Sequence, residues 1–195
     1  MTADGNIKLD KPGAGLPFLE KAIAQYILFP YTCSRLNREK AVSATQRAGK
    51  KCIEKARYVS KDQLSQQILI PRLRGLEDSS RYWSIAMTIE HLFIVHNGML
   101  GMTRALSADQ KVDQVVSTAD VKPTGKVDPE DILGRYEAVI ADYADKVALL
   151  PDLKLCKATH LHPWFGELNA HQWLCLNAIH TQIHLGQILE IIKRL

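Results

Sequence analysis

The 195-residue chain has no run of 18 apolar residues, no block of five like charges and no Cys-x-x-Cys pair. Each absence excludes a class of function. Without a long apolar run there is no candidate membrane-spanning helix. The first fifteen residues are polar and glycine-rich, and they read as a flexible tail, not as an apolar export signal. A net charge of +4, spread thinly, leaves no electrostatic footprint for nucleic acid. Cys33, Cys52, Cys156 and Cys175 are scattered through a chain too large to need stapling, which fits free thiols in a reducing compartment. The expectation is a cytoplasmic protein with neither nucleic acid nor membrane as a partner.

What the chain does have is helical periodicity. Its 46% hydrophobic content is enough for a full core, and its length suits one domain. Residues 16–29 place Phe18, Leu19, Ala22, Ile23, Tyr26 and Ile27 three and four apart, which predicts a short helix that Pro30 ends. Residues 38–59 keep Ala41, Ala44, Ala48, Cys52 and Ala56 in helical register, with small side chains that let a neighbouring helix approach closely. The basic residues between them read as a solvated outer face. Residues 60–80 read as a loop, and 81–105 as a nearly all-apolar central helix. The polar stretch 103–127 is longer than antiparallel neighbours need, so it suits a crossover between two parallel helices. Asp128 and Pro129 are a capping residue and a first-turn proline for a helix that Pro151 stops. Asn169, with Gln172 three residues on, opens the last helix. The predicted fold class is all-α: a four-helix bundle, up-down-down-up, over residues 38–195, with residues 1–37 as an N-terminal extension carrying one short extra helix.

The chemistry concentrates in the last helix. His180 and His184 stand four apart, so at about 100° per residue they share a face, the spacing at which two imidazoles can hold one metal ion. Thr181 follows His180 where the helical zinc-protease pattern needs glutamate, so a protease is disfavoured. Two unpaired buried histidines would cost on the order of 1–3 kcal/mol for each unsatisfied group, which a metal or a compact hydrogen-bond network would avoid. His91 lies in the central helix, where a lone histidine is more often a hydrogen-bonded core residue than a ligand. His96 is turned by about 140° from it and reads as structural. His171 lies on the opposite side of the last helix from His180 and reads as a surface residue, while His162 either lines the mouth of a pocket or belongs to a proline-led turn. Tyr136, Tyr143 and Asp142 could reach the pocket, with core packing or surface exposure the plainer reading.

Three pieces of sequence carry a family resemblance. His180, His184, Gly186, Gln187 and Ile188 resemble the fourth-helix signature of the DinB-like (YfiT-like) metalloenzyme superfamily. His162-Pro163-Trp164-Phe165-Gly166-Glu167-Leu168 with Trp173 resembles the His-Pro-x-Phe-Gly-x-Leu approach of one branch. Trp83-Ser84, shortly before His91, is similar to the second-helix motif whose histidine completes the triad. The resemblance spans residues 37–195. It implies a metal site of His91, His180 and His184 with positions left open for water or substrate, which is a catalytic style of site. Zinc is the first expectation for the divalent metal, and nickel and iron(II) also accept imidazole. Thiol-dependent S-transferase or isomerase chemistry is implied, with hydrolysis a further class and a low-molecular-weight thiol or other small molecule as partner. The other reading is a non-catalytic metal- or small-molecule-binding stress-response protein. An open cavity beside the histidines would favour the enzyme. The apolar N-terminal helix and the dimers common in the family imply a homodimer.

Overall fold

The computed structural model describes residues 8–113, 115 and 117–195. The chain begins its helical course with α1 (Phe18–Ile23), passes through a π-helical turn at Ala24–Leu28, and continues as α2 (Phe29–Arg35). The expected stop at Pro30 is corrected, because Pro30 sits in the first turn of α2. Proline cannot donate to the carbonyl one turn back and its ring crowds that group. Widening the preceding turn to i→i+5 bonding relieves the conflict, and the helical path runs on to Arg35. The flexible tail expected for the first fifteen residues falls in part on residues 1–7, outside the described residues. From Lys8 onward the chain is held: the Asp10 N–H donates to Asp78 Oδ2 and the Gly15 N–H to Glu77 Oε1, both at 2.9 Å.

Next come α3 (Arg38–Arg57), capped by Asn37, and α4 (Lys61–Ser65), opened by a Ser60–Gln63 capping box. A two-residue pairing follows between β1 (Ile68–Leu69) and β2 (Tyr82–Trp83), separated by a 3-10 turn at Asp78–Ser80. The stretch expected to be loop therefore carries local structure, and the helix expected from residue 81 starts later. Ser84 Oγ accepts the Met87 N–H at 3.1 Å, so α5 is Ile85–Ser107. α6 (Pro129–Ala148) begins at the Asp128 cap as read from sequence. β3 (Thr159–His162) and β4 (Gly166–Asn169) form an antiparallel hairpin where sequence reading gave only a loop, turning through Gly166 at φ +77°. α7 (Ala170–Ile192) starts from the expected Asn169–Gln172 capping box.

The two core clusters fix the helix directions. One joins the start of α5 (Ile85, Ile89, Leu92) to the start of α6 (Ile132, Tyr136), the end of α3 (Cys52, Ala56) and the end of α7 (Leu185, Ile188, Ile191). The other joins the late part of α5 (Met99, Leu106) to late α6 (Tyr143, Val147), early α3 (Ala41) and early α7 (Trp173, Leu174). α5 and α6 therefore run together and α3 and α7 run opposite to them, which is the up-down-down-up bundle. Each large aliphatic side chain sequestered here contributes roughly 1.5–3 kcal/mol of hydrophobic stabilisation. Gly49 lets α3 approach α6, since a Cβ there would overlap the Ile140 side chain. His96 packs edge-on between the rings of Tyr136 and Tyr143, with centroids 5.7 and 4.9 Å away, so all three are core groups. Asp142 is exposed on the outer face of α6.

Candidate metal centre

α5 and α7 bring His91, His180 and His184 to one point. His180 Nε2 lies 3.1 Å from Nε2 of His91 and 3.1 Å from Nε2 of His184. The three donor atoms all fall within 4.8 Å of one another. The site is at the seam between α5 and α7. Among the described residues, the ring and hydrogen-bond partners of the three histidines come from these helices, the segment before α5 and the crossover. α3 and α6 contribute none, so the imidazoles project to the seam and not to the centre of the four helices.

Two tautomers are fixed by geometry. His91 Nδ1 is 2.7 Å from the carbonyl of Val121 in the crossover, and a carbonyl only accepts, so Nδ1 carries the proton. Gln187 Nε2 donates to the Ser80 carbonyl at 2.8 Å, which turns Gln187 Oε1 toward His184 Nδ1 at 2.6 Å. His184 Nδ1 is therefore also a donor. Both rings aim an unprotonated Nε2 at His180, as metal-binding histidines do when their far nitrogen is held by an acceptor.

His180 Nε2 with its proton could donate to one neighbour but not both, so the cluster alone leaves one Nε2 acceptor without a donor. Two nitrogens bound tetrahedrally at 2.0–2.1 Å to one zinc ion would stand about 3.3–3.4 Å apart, close to the spacing seen. A divalent cation fits this donor set. Nothing protonic competes near neutrality, because burial lowers the pKa of His91 to about 4 and holds His180 and His184 well below the ordinary histidine value. The hydrogen bonds to Val121 and Gln187 raise the values of His91 and His184 without offsetting burial. Neighbouring imidazoles lower those of His180 and His184, and Lys122 lowers those of His91 and His184.

The indole of Trp83 walls the site, tilted over His91 at 5.1 Å and parallel to His184 at 6.1 Å between centroids. Lys122 Nζ sits over that indole, 5.2 Å from the ring centroid, and bonds to Glu77 Oε2 at 2.8 Å, Ser79 Oγ at 2.6 Å and Ser80 Oγ at 2.9 Å. The remaining side opens on a cavity of about 1000 Å³. His162 lines it from β3, with Nδ1 accepting the Trp164 N–H at 3.1 Å and its ring against Phe165 and Trp173. Burial lowers its pKa to about 4.

His171 is not a surface residue. It does face away from His180, but α2 covers that side, and His171 Nε2 lies 3.3 Å from the Cys33 carbonyl and 3.6 Å from Cys175 Sγ. Sequence reading also missed the Val121 carbonyl, the Lys122–Glu77 pair and the cavity roof from α1 and α2. Gln187, by contrast, stands one turn beyond His184 in the signature of the last helix, where a residue able to hold that ring can be read. No helix among the described residues is long and apolar enough to cross a membrane.

Comparison with known proteins agrees with this architecture. YfiT from Bacillus subtilis, described as a probable metal-dependent hydrolase with an unusual four-helix bundle topology, aligns over 96% of this chain and 94% of its own. Its TM-score is 0.60 at 16% identity. TT2238, described as a four-helix bundle protein, aligns over 78% of this chain and 98% of its own, with a TM-score of 0.54 at 22% identity. No curated protein matches the sequence. The family profile of the DinB superfamily matches residues 53–188, which takes in all three histidines. The chain belongs to the DinB superfamily.

Proposed function

We propose that this protein is a metal-dependent enzyme acting on a small molecule, with His91, His180 and His184 as the protein ligands of one divalent ion. The observation that carries this reading is the convergence of three imidazole nitrogens within 4.8 Å at the wall of a large cavity. Three protein ligands leave room for water or substrate, whereas a structural zinc is closed by four. When bound, the ion would supply Lewis acidity, polarising a substrate oxygen or lowering the pKa of a water or thiol toward neutrality.

The chain's own groups prepare that chemistry. Val121 and Gln187 orient two rings, Trp83 excludes water from one side, and the cavity admits substrate on the other. Zinc is the first choice of metal, with nickel and iron(II) as alternatives of the same donor preference. The reaction is transfer or isomerisation dependent on a low-molecular-weight thiol, or hydrolysis of the kind ascribed to YfiT. The cavity beside the histidines, with coordination positions left open toward it, supports an enzyme over the non-catalytic reading.

Elemental analysis after dialysis tests the ligand set. His184→Ala should lose most bound metal while His171→Gln, a conservative change away from the cluster, keeps it. Equal metal content in the two folded variants would refute the assignment.

A further inference from the structure

The cavity beside the histidines has a marked chemical character. From α1 and the turn that follows, Leu19, Ile23 and Leu28 line it as a roof, although each presents a large exposed apolar surface in the free protein. Phe165, Trp173 and Met99 line other walls. The charges in its lining are already satisfied within the chain. Glu20 pairs with Arg72 and accepts the Gly75 N–H at 2.7 Å, and Glu77 and Lys122 pair with each other. Arg74 and Asp120 stand at the rim, exposed to solvent. The paired groups inside are not free to recognise a second charge, so away from the histidine end the lining favours an uncharged, largely apolar body.

Gly98 adds an independent observation. It lies seven residues after His91 on the same face of α5, and it lines the cavity. Glycine within a helix costs about 1 kcal/mol relative to alanine. No close approach requires it here, since a Cβ at Gly98 would meet nothing within 4 Å. Its backbone is helical, with no positive φ to demand glycine. Gly98 is exposed and lines the cavity, so the missing side chain leaves that stretch of its wall clear.

We infer that the substrate is a small molecule with one polar, metal-seeking end and a bulky uncharged apolar body, the body lying along α5 past Gly98 beneath the α1–α2 roof. This rests on the proposed three-histidine metal site for the polar end only. The apolar body is carried by the cavity itself. A volume of about 1000 Å³ is at the upper end of the range for drug-sized ligands. Binding would cover the exposed aliphatic groups of the roof, which otherwise remain against water.

The experiment has two arms, in wild type and in Gly98→Leu. Leucine is a better helix former than glycine and meets no atom at its Cβ, so the variant should fold at least as stably as wild type and bind zinc equally. In the first arm chelator-treated protein is titrated with N-phenyl-1-naphthylamine, an uncharged apolar fluorophore. Binding at micromolar concentrations is expected in wild type, weakened at least about tenfold in Gly98→Leu.

In the second arm zinc-loaded protein is titrated with acetohydroxamate and octanohydroxamate, which share a metal-seeking head and differ by six methylenes. Burial of one methylene is worth about fourfold in affinity, so octanohydroxamate should bind at least about 100-fold more tightly, and Gly98→Leu should remove most of that advantage while leaving acetohydroxamate unchanged. No fluorophore binding, or equal affinity for the two hydroxamates, would overturn the inference. Octanohydroxamate binding that keeps its Gly98 dependence but is identical with and without zinc would support the apolar body and contradict the metal reading instead.

Discussion

His91 Nδ1 and the Val121 carbonyl are joined at 2.7 Å, a hydrogen bond between the central helix and the long crossover. It makes the crossover part of the site. The same bond fixes which nitrogen of His91 faces His180, so the length of chain between α5 and α6 has a chemical role beyond reversing no direction. Glu90, next to His91, extends the tie: its carboxylate accepts from Thr124 Oγ1 at 2.7 Å and from the Gly125 N–H at 3.0 Å.

On the other helix Gln187 does the corresponding work for His184. Gln187→Leu keeps the volume but removes both of its bonds, leaving the Ser80 carbonyl and His184 Nδ1 without their partner. Loss of a bond to the outer nitrogen of a metal-binding histidine typically weakens metal affinity 10- to 100-fold. Zinc competition titration should show a loss of about that size, and denaturation of the chelated protein a cost of about 1–3 kcal/mol. Unchanged zinc affinity would remove Gln187 from the site.

Acid should act through the same rings. Burial lowers the pKa of His91 from 6.5 to about 4 and holds those of His180 and His184 well below 6.5. The unfolded chain takes up protons near pH 6.5, so between about 6.5 and about 4 it holds more protons than the folded one, and stability falls as pH is lowered through that window. Metal adds to the effect, because only neutral imidazole ligates. Thermal melting at pH 7.5 and 5.5, with and without exhaustive chelation, should show the larger chelator effect at pH 7.5. A chelator effect equally large at both pH values would contradict proton competition for the metal.

The assembly prediction rests on exposed apolar side chains of α1, the π-helical turn and α2. Phe18 is 88% exposed and Tyr26 72% exposed, and Ile27 and Tyr31 are exposed as well. Apolar side chains gathered in this way commonly mark an interface. Sedimentation should give a homodimer, and Tyr26→Glu with Ile27→Lys should raise its dissociation constant at least about tenfold. A wild-type monomer at high micromolar concentration would count against the dimer.

Much of the bundle was legible because its signals are local. Asp128 with Pro129, and Asn169 with Gln172, cap α6 and α7 where they were expected. His180 and His184 were readable from spacing, and His91 joined them only through a family pattern, since a single buried histidine has no periodicity of its own. The hairpin before α7 was hidden by an inverted pattern: Leu161 points outward while His160 and His162 are buried. Alternation normally marks a strand by putting the apolar residues inside. His171 was misplaced because sequence spacing fixes which side of α7 it occupies but not that α2 covers that side. The Val121 carbonyl is a backbone acceptor and has no side-chain signature to read.

Zinc K-edge X-ray absorption on protein loaded with one equivalent of zinc at pH 7.5 tests the central claim most directly. The three-histidine site predicts three imidazole nitrogens at about 2.0–2.1 Å in wild type and two in His184→Ala. A wild-type shell with one imidazole or none, or one that His184→Ala leaves unchanged, would contradict it.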